Sequence, residues 1–599
     1  MCASFIPASA SPFAGAAAFA QPTPAPAAQQ PLFSAFSPHV FSQALARRVP
    51  VFLLIGETRA AFNDPSLRAQ LSAQTVPAQL LPGQRPDVEL LCQRAAALFS
   101  GEGALPLCAL LLENGLPFLA APLPPEGFSL DAQRLLVWLT HAGRRFAQNR
   151  AAFARQAQDV LRSFSAPSLT KPYLPKDAAH DLLRSILAAQ DSINGGFGKV
   201  KAPHVPLLRF LSHQASGGNR DAYAALDRAL QAMKTGALHD PVDGLYFRAT
   251  LTQDWRVFIP EKPLCVNALI AMTLMENGER GDALRMLSAL ADHFSLPGGF
   301  LAPALRADKS RYTFTPEQVC ALLGSEEGLR ACRLLGLLRQ HRSSDPAVAP
   351  SRFSPPPPPP GRPSLDAPKQ PLAPVLPPDL TAEDAAFLRR VWPVLARGRA
   401  ARTSEAPVSP MLTMDAALAA AVLAACGQRT GESRFTQSAL RTVHALLSTM
   451  PDASMPGALP AVSIPRPVPA ASSCGAAAAL SLALLTLARD EPGGALAATG
   501  LRLLGSTLHA FVRPDGMVMH TPANGAAFFP RVPAIFDGEL PSPAALLVHA
   551  LRAAKPLRPD APYGDAIDTI YAAAAPYLKH EPMACAGLID AINRASTTQ

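Results

Sequence analysis

No two cysteines in this sequence lie close enough to form a CxxC pair, and that absence excludes the usual thiol-disulfide and zinc-ribbon chemistries. The nine cysteines stand at 2, 92, 108, 265, 320, 332, 426, 474 and 585, with no histidine at zinc-site spacing. An odd number of thiols in mostly apolar contexts implies reduced, buried side chains and a cytoplasmic setting. Charge is sparse, at 17% of residues, and the net +9 is scattered over pairs such as Arg47-Arg48, Arg144-Arg145 and Arg389-Arg390. A nucleic-acid groove needs a concentrated basic stripe interleaved with aromatics, and aromatics make up only 6% of the chain, so nucleic acid is excluded as a partner. Long apolar runs are missing too. The best candidate, Pro467 to Ala488, is interrupted by Pro467, Pro469 and three serines. It falls short of the ~20 apolar residues a membrane span requires, and reads as a buried helix. The opening MCASFIPASASPFAGAAAFAQ lacks a basic start and carries Pro7 and Pro12, unlike a secretory signal. No metal site and no cofactor are expected.

What is abundant is leucine and alanine. Apolar residues recur at three- and four-residue spacing while β-branched residues are few, which predicts a mainly helical protein. The excess of arginine and alanine suits a GC-rich bacterial genome. With 599 residues, 49% of them hydrophobic, the chain can build several domains. Two stretches have no core pattern: 1–35, an Ala/Pro/Gln-rich leader expected to be disordered, and 343–378, a linker with a run of six prolines.

Over 36–148 the pattern alternates. SPHVFSQALARR, VPVFLLIG, PSLRAQLSAQ and TVPAQLLP read as helix, strand, helix, strand. Another helix, QRPDVELLCQRAAALFS, precedes two strands hinged at Glu113-Asn114-Gly115. This order predicts a small α/β domain of thioredoxin-like type, followed by a helical connector over about 130–165. From 165 to 342 and again from 379 to 599, helical pairs end in Gly, Pro or polar turns, as in an α/α toroid.

One stretch of the helical region is different. Between Gly236 and Leu269, Asp240, Asp243, Arg248, Asp254, Trp255, Glu261 and Lys262 crowd together with Tyr246, Phe247 and Phe258. Hydrogen-bonding groups beside flat apolar faces suit a polyol or sugar-like ligand in a cleft. The alternative is a solvated hairpin between helices.

These segments, in this order, resemble the thioredoxin-domain-containing, spermatogenesis-associated family. The central signature is retained at Gly236, Asp240, Gly244, Arg248, Trp255, Val257, Glu261, Lys262, Leu264, Asn267 and Ala268. It departs at Ile259, Pro263, Cys265 and Val266, where the family has His, Met, Tyr and Asp. Further matches are Pro50, Phe52, Gly56, Arg85, Pro86, Asp87 and Val88, then Gly195, Gly196, Phe197 and Gly198, then Asp537, Gly538, Pro541 and Ser542. Pro106 matches the proline that is cis beside a thioredoxin active site, but ETRAAFNDPSL follows Gly56 where the family has its dithiol.

The resemblance implies a thioredoxin-like domain followed by an (α/α)6 toroid similar to N-acylglucosamine 2-epimerases and six-hairpin glycosidases. It implies Asp240, Arg248, Glu261 and Asp537 as catalytic residues, and Phe197, Tyr246, Trp255, Lys262 and Asn267 as substrate-binding ones. The missing dithiol, the missing His at 259 and the lost acidic clusters favour a degenerate member. Such a protein would be a non-catalytic binder or scaffold with an eroded sugar-type cleft and no thiol-disulfide activity. The alternative is an epimerase, isomerase or glycoside-hydrolase-like enzyme acting in that cleft. Expected partners are a small saccharide or polyol and a protein bound through the thioredoxin-like domain. The structural account of the same residues is that Glu261-Lys262 caps a helix beginning near Pro260 while Asp240 and Asp537 brace turns.

Overall fold

The computed structural model describes residues 14–19, 31–125, 128–166, 168–338, 371–408, 411–449, 473–491, 493–523 and 529–594. Of the leader expected over 1–35, Ala14–Phe19 (β1) and Ser34–Ala35 (β2) form strands, and 1–13 and 20–30 lie outside the described residues.

The VFLLI run becomes β3 (Val51–Ile55), buried at every residue because it lies inside a sheet covered on both faces. Around it the chain lays down α1 (Pro38–Arg47), α2 (Pro65–Gln74), β4 (Val76–Leu80), α3 (Pro86–Ser100), β5 (Leu107–Leu111), β6 (Pro117–Pro122) and β7 (Phe128–Leu130). The five-stranded sheet runs β2-β4-β3-β5-β6, with β2, β4 and β3 parallel and β5 and β6 antiparallel. β1 pairs with β7 apart from it. Proline at the first turn of α1, α2 and α3 suits its fixed φ. The Leu105-Pro106 bond is cis. α4 (Ala132–Gln148) and α5 (Arg150–Arg162), expected as a connector, instead pack on α2, α3 and β6 and complete the domain.

The rest is a closed ring of hairpins. Its inner helices are α7 (Val205–Ser216), α9 (Leu264–Glu276), α15 (Thr413–Thr430), α17 (Cys474–Leu487), α19 (Pro543–Ala554) and α21 (Ala586–Asn593). Each packs on the next, and α21 packs back on α7. The outer helices α8 (Arg220–Thr235), α10 (Arg280–His293), α16 (Ser433–Ser448), α18 (Ala495–Phe511) and α20 (Tyr563–His580) each follow an inner one. α6 (Pro175–Ala189) supplies the sixth against α21. This is an (α/α)6 toroid. The inner helices α9, α15 and α17 are apolar on nearly all faces, as helices enclosed by others must be. The stretch read as a buried helix is α17, its residues before 473 lying outside the described ones. Among the described residues no helix is long and apolar enough to cross a membrane.

A side lobe carries a three-stranded sheet in which β8 (Glu261–Pro263), β9 (Ala304–Arg306) and β10 (Ala406–Pro407) run in the order β10-β9-β8. It also holds α11 (Lys309–Tyr312), α12 (Pro316–Leu323), α13 (Ser325–Leu334) and α14 (Ala382–Ala400) around a second small core. Of the expected linker 343–378, residues up to 370 lie outside the described ones, while Leu372 bonds to Phe314 and Val375 to Leu335.

The thioredoxin-like domain sits against the segments that lead into the inner helices. Leu412, before α15, packs on Gly83. Phe529, before α19, meets Phe36 and Phe41 at 5.5 Å. Glu581, before α21, pairs with Arg94 at 2.7 Å. The domain therefore covers the mouth at which those inner helices begin.

Candidate functional site

The crowded stretch folds back on itself above α9, and its charges meet one another. Asp240 receives two bonds from the Arg399 guanidinium, at 2.6 and 2.8 Å, and one from Lys262 Nζ at 2.8 Å. Lys262 is fully buried, bonds Asp243, and reaches Glu405 at 3.3 Å, while its ammonium lies 4.5 Å from the Tyr312 ring centre. Tyr312 Oη in turn donates to Glu405 at 2.7 Å. Burial opposes the charge on Asp240, but Arg399 and Lys262 outweigh it and hold its pKa far below the usual carboxylate range. Burial likewise opposes the charge on Lys262, and Asp240, Asp243 and Glu405 overcome it and raise its pKa.

A second chain of charges runs from the toroid into the thioredoxin-like domain. Glu261 accepts from Arg248 Nε at 2.7 Å and from Arg306 Nε at 2.8 Å, and Arg306 also binds Glu57 at 2.7 Å. Arg248 reaches onward to Glu539. Glu57 follows Gly56 directly, in the loop where the resembling family keeps its dithiol. Burial works against the Glu261 carboxylate, but Arg248 and Arg306 keep its pKa low. Glu261 and Lys262 do not cap a helix: both lie in β8, and α9 begins after them at Leu264.

The other expected site residues are buried and partnered. Trp255, at φ +60°, fits against Gly196 and Gly236, where a Cβ would come within 2.5 Å of it. Its indole donates to Asn194 O at 2.7 Å. Asn267 imitates a strand, accepting from Tyr246 N at 2.7 Å and donating to Tyr246 O at 2.9 Å. The Tyr246 ring packs 4.8 Å from that of His239, and Phe197 meets His204 edge-on at 5.8 Å. Asp537 accepts from Ser542 N at 2.7 Å and Gly587 N at 2.6 Å, tying the starts of α19 and α21 together. Burial pushes its pKa up to about 7 against those two bonds.

The structure thus joins Asp240 with Lys262, and Arg248 with Glu261, but places Asp537 in a separate brace. Sequence reading missed Arg399, Glu405, Arg306, Glu57 and Glu539, which come from distant segments and carry no local motif. It also passed over Asp415, in the first turn of α15. Burial pushes the Asp415 carboxyl up to about 7 against Arg248, with Glu539 adding to the rise. A carboxyl pushed up towards neutrality can exchange a proton.

Fold and site define a thioredoxin-like domain without a dithiol, seated on the mouth of an (α/α)6 toroid. Residues 26–165 match the Thioredox_DsbH family, described as a protein of unknown function, DUF255. No curated protein matches the chain. Among solved structures, cellobiose 2-epimerase from Spirochaeta thermophila DSM 6192 aligns at 14% identity and TM-score 0.42, over 66% of this chain and 83% of that one. A D-mannose isomerase aligns at 11% identity and TM-score 0.41, over 69% and 88%. A family 76 glycoside hydrolase from a bovine Bacteroides thetaiotaomicron strain aligns at 8% identity and TM-score 0.40, over 70% and 76%. These likenesses are too distant to add to the toroid assignment, which stands on the closed ring of helix contacts.

Proposed function

We propose that this chain is a binding or scaffolding protein without catalytic turnover, in which the thioredoxin-like domain is anchored over the toroid mouth. The observation that carries this reading is Glu261. Both of its oxygens are taken by Arg248 and Arg306, and Arg306 carries the pairing across to Glu57. A carboxylate held that way is a fastener rather than a base, since proton transfer needs a group whose pKa is near the working pH.

The ligands this reading expects are a small saccharide or polyol at the mouth and a protein partner on the thioredoxin-like domain. Thr58, Ala60 and Asn63 are exposed beside Glu57 and offer that partner a polar, thiol-free surface. A cytoplasmic setting accords with the eight described cysteines, all of them free.

The test is Glu261→Gln beside the parent protein, by thermal melting and by binding and turnover of a saccharide panel. Leaving Arg248 and Arg306 partly unpaired should cost about 1–3 kcal/mol and lower the melting temperature, with saccharide binding unchanged. Unchanged melting with lost binding or turnover would sink this reading. A second reading, a carbohydrate-directed enzyme, is favoured by Asp415 and Asp537, the two carboxyls that burial pushes up to about 7. It expects Asp415→Asn to abolish sugar turnover while the melting temperature stays put.

A further inference from the structure

The side lobe holds two thiols on neighbouring helices. α12 and α13 are separated only by Gly324, at φ +83°, and pack on each other. Where they meet, a Cβ on Gly328 would fall 2.6 Å from Cys320 Cα and 2.9 Å from its Sγ, so α13 approaches Cys320 as closely as a bare backbone allows. Cys332 stands one turn after Gly328 on the same face of α13. It is fully buried, and its Sγ lies 4.0 Å from Pro316 O, one turn before Cys320 on α12. A side-chain hydrogen bond joins the Cys332 and Cys320 thiols. A disulfide needs Cα atoms within about 7 Å of each other, and the glycine at the crossing is what permits that approach.

Exposure sets this pair apart from the other thiols. Among the described cysteines seven are buried, and Cys320 is the one that solvent reaches. Cys332 belongs to the small core of the lobe, with Phe314, Val319 and Leu335. Burial, then the nearby Cys320 and Glu317, pushes its thiol up to about 12, so it keeps its proton and does not react first. A small oxidant therefore meets Cys320, and finds a second thiol already against it.

We propose that Cys320 and Cys332 form a peroxide-oxidisable dithiol that closes reversibly into a disulfide between α12 and α13. The Cys320 sulfur attacks one oxygen of hydrogen peroxide, the O–O bond breaks, and the departing hydroxide takes the thiol proton as water, leaving a sulfenic acid. The Cys332 sulfur then attacks the sulfenic sulfur. The S–S bond forms as the S–O bond breaks, and hydroxide leaves with the Cys332 proton as a second water. Peroxide is reduced and the thiol pair is oxidised, and a small thiol reductant reverses the change by exchange. α14 packs on both helices and carries Arg399, the cation that holds Asp240. The bridge therefore braces the helix pair on which that cation's helix rests.

The test treats the intact, folded chain with a small molar excess of hydrogen peroxide, blocks the remaining thiols with N-ethylmaleimide in denaturant, and maps tryptic peptides without reduction. Cleavage after Arg330 separates the two cysteines, so the bridge appears as peptides joined through Cys320 and Cys332, and dithiothreitol should release them. The other buried cysteines should be recovered as maleimide adducts. In Cys332→Ser the bridge should be lost and Cys320 captured by dimedone as its sulfenic acid. In Cys320→Ser, Cys332 should remain a free thiol. If a variant fails to fold, the parent map decides by itself. A Cys320 thiol that survives the treatment, a Cys320 that halts at the sulfenic acid in the parent, or a bridge from Cys320 to a different cysteine would each overturn the proposal.

Discussion

Removing the Asp240 carboxylate takes two hydrogen bonds from the buried Arg399 guanidinium and one from the buried Lys262 ammonium, leaving Arg399 only Asp243 and Lys262 only Asp243 and Glu405, which is the costly way to break a buried ion network. Asp240→Asn should therefore lower stability by about 3–5 kcal/mol, seen as an earlier denaturant midpoint at unchanged slope. A shift within error would mean that water reaches the cluster. His520, buried with neither ring nitrogen hydrogen-bonded, makes stability depend on pH. Burial lowers its pKa to about 4, opposed by Asp87, from an ordinary value of 6.5. The folded state binds fewer protons than the unfolded one in that interval, so stability falls as pH drops from about 6.5 towards 4, by up to ~1.4 kcal/mol per pH unit. In His520→Phe, melting followed from about pH 7 to 4.5 should fall less steeply than in the parent. An unchanged acid limb would show that the ring is solvated. Neither effect was visible in the sequence. His520 has no motif around it, and Asp240 looked like a candidate acid because its principal partner, Arg399, lies 159 positions away.

At the scale of elements, two glycines separate local from tertiary demands. Gly281 lies in the first turn of α10 with open space where a Cβ would go, so Gly281→Ala should raise stability by a few tenths to ~1 kcal/mol through helix propensity. Gly236 has a Cβ position only 2.5 Å from Trp255 Cβ, so Gly236→Ala must push that indole out of its seat and should lower the melting temperature. Equal effects of the two changes would refute the packing role of Trp255. The elements themselves were largely legible. The VFLLI run, the Gly115 hinge and the apolar helices carry periodicities that short-range physics enforces. The placement of α4 and α5 was not, because an amphipathic helix states that it must pack but not on what.

The whole molecule behaves as a domain mounted on a ring. Glu57 occupies the loop that would carry a dithiol and is tied through Arg306 to the toroid. An insulin-reduction assay should show no acceleration over buffer, since no thiolate can form there. Acceleration abolished by changing a single cysteine would contradict this. By itself, the sequence determined that the chain is mainly helical, that an α/β unit precedes repeated hairpins, and that no dithiol follows β3. Those features rest on composition, on periodicity and on which side chains are present at all. The tertiary structure alone decided that the crowded charges from Asp240 to Lys262 neutralise one another and that the domain covers the mouth of the ring. Partners drawn from segments hundreds of residues apart are chosen by how the ring closes, and ring closure depends on packing among all the inner helices at once.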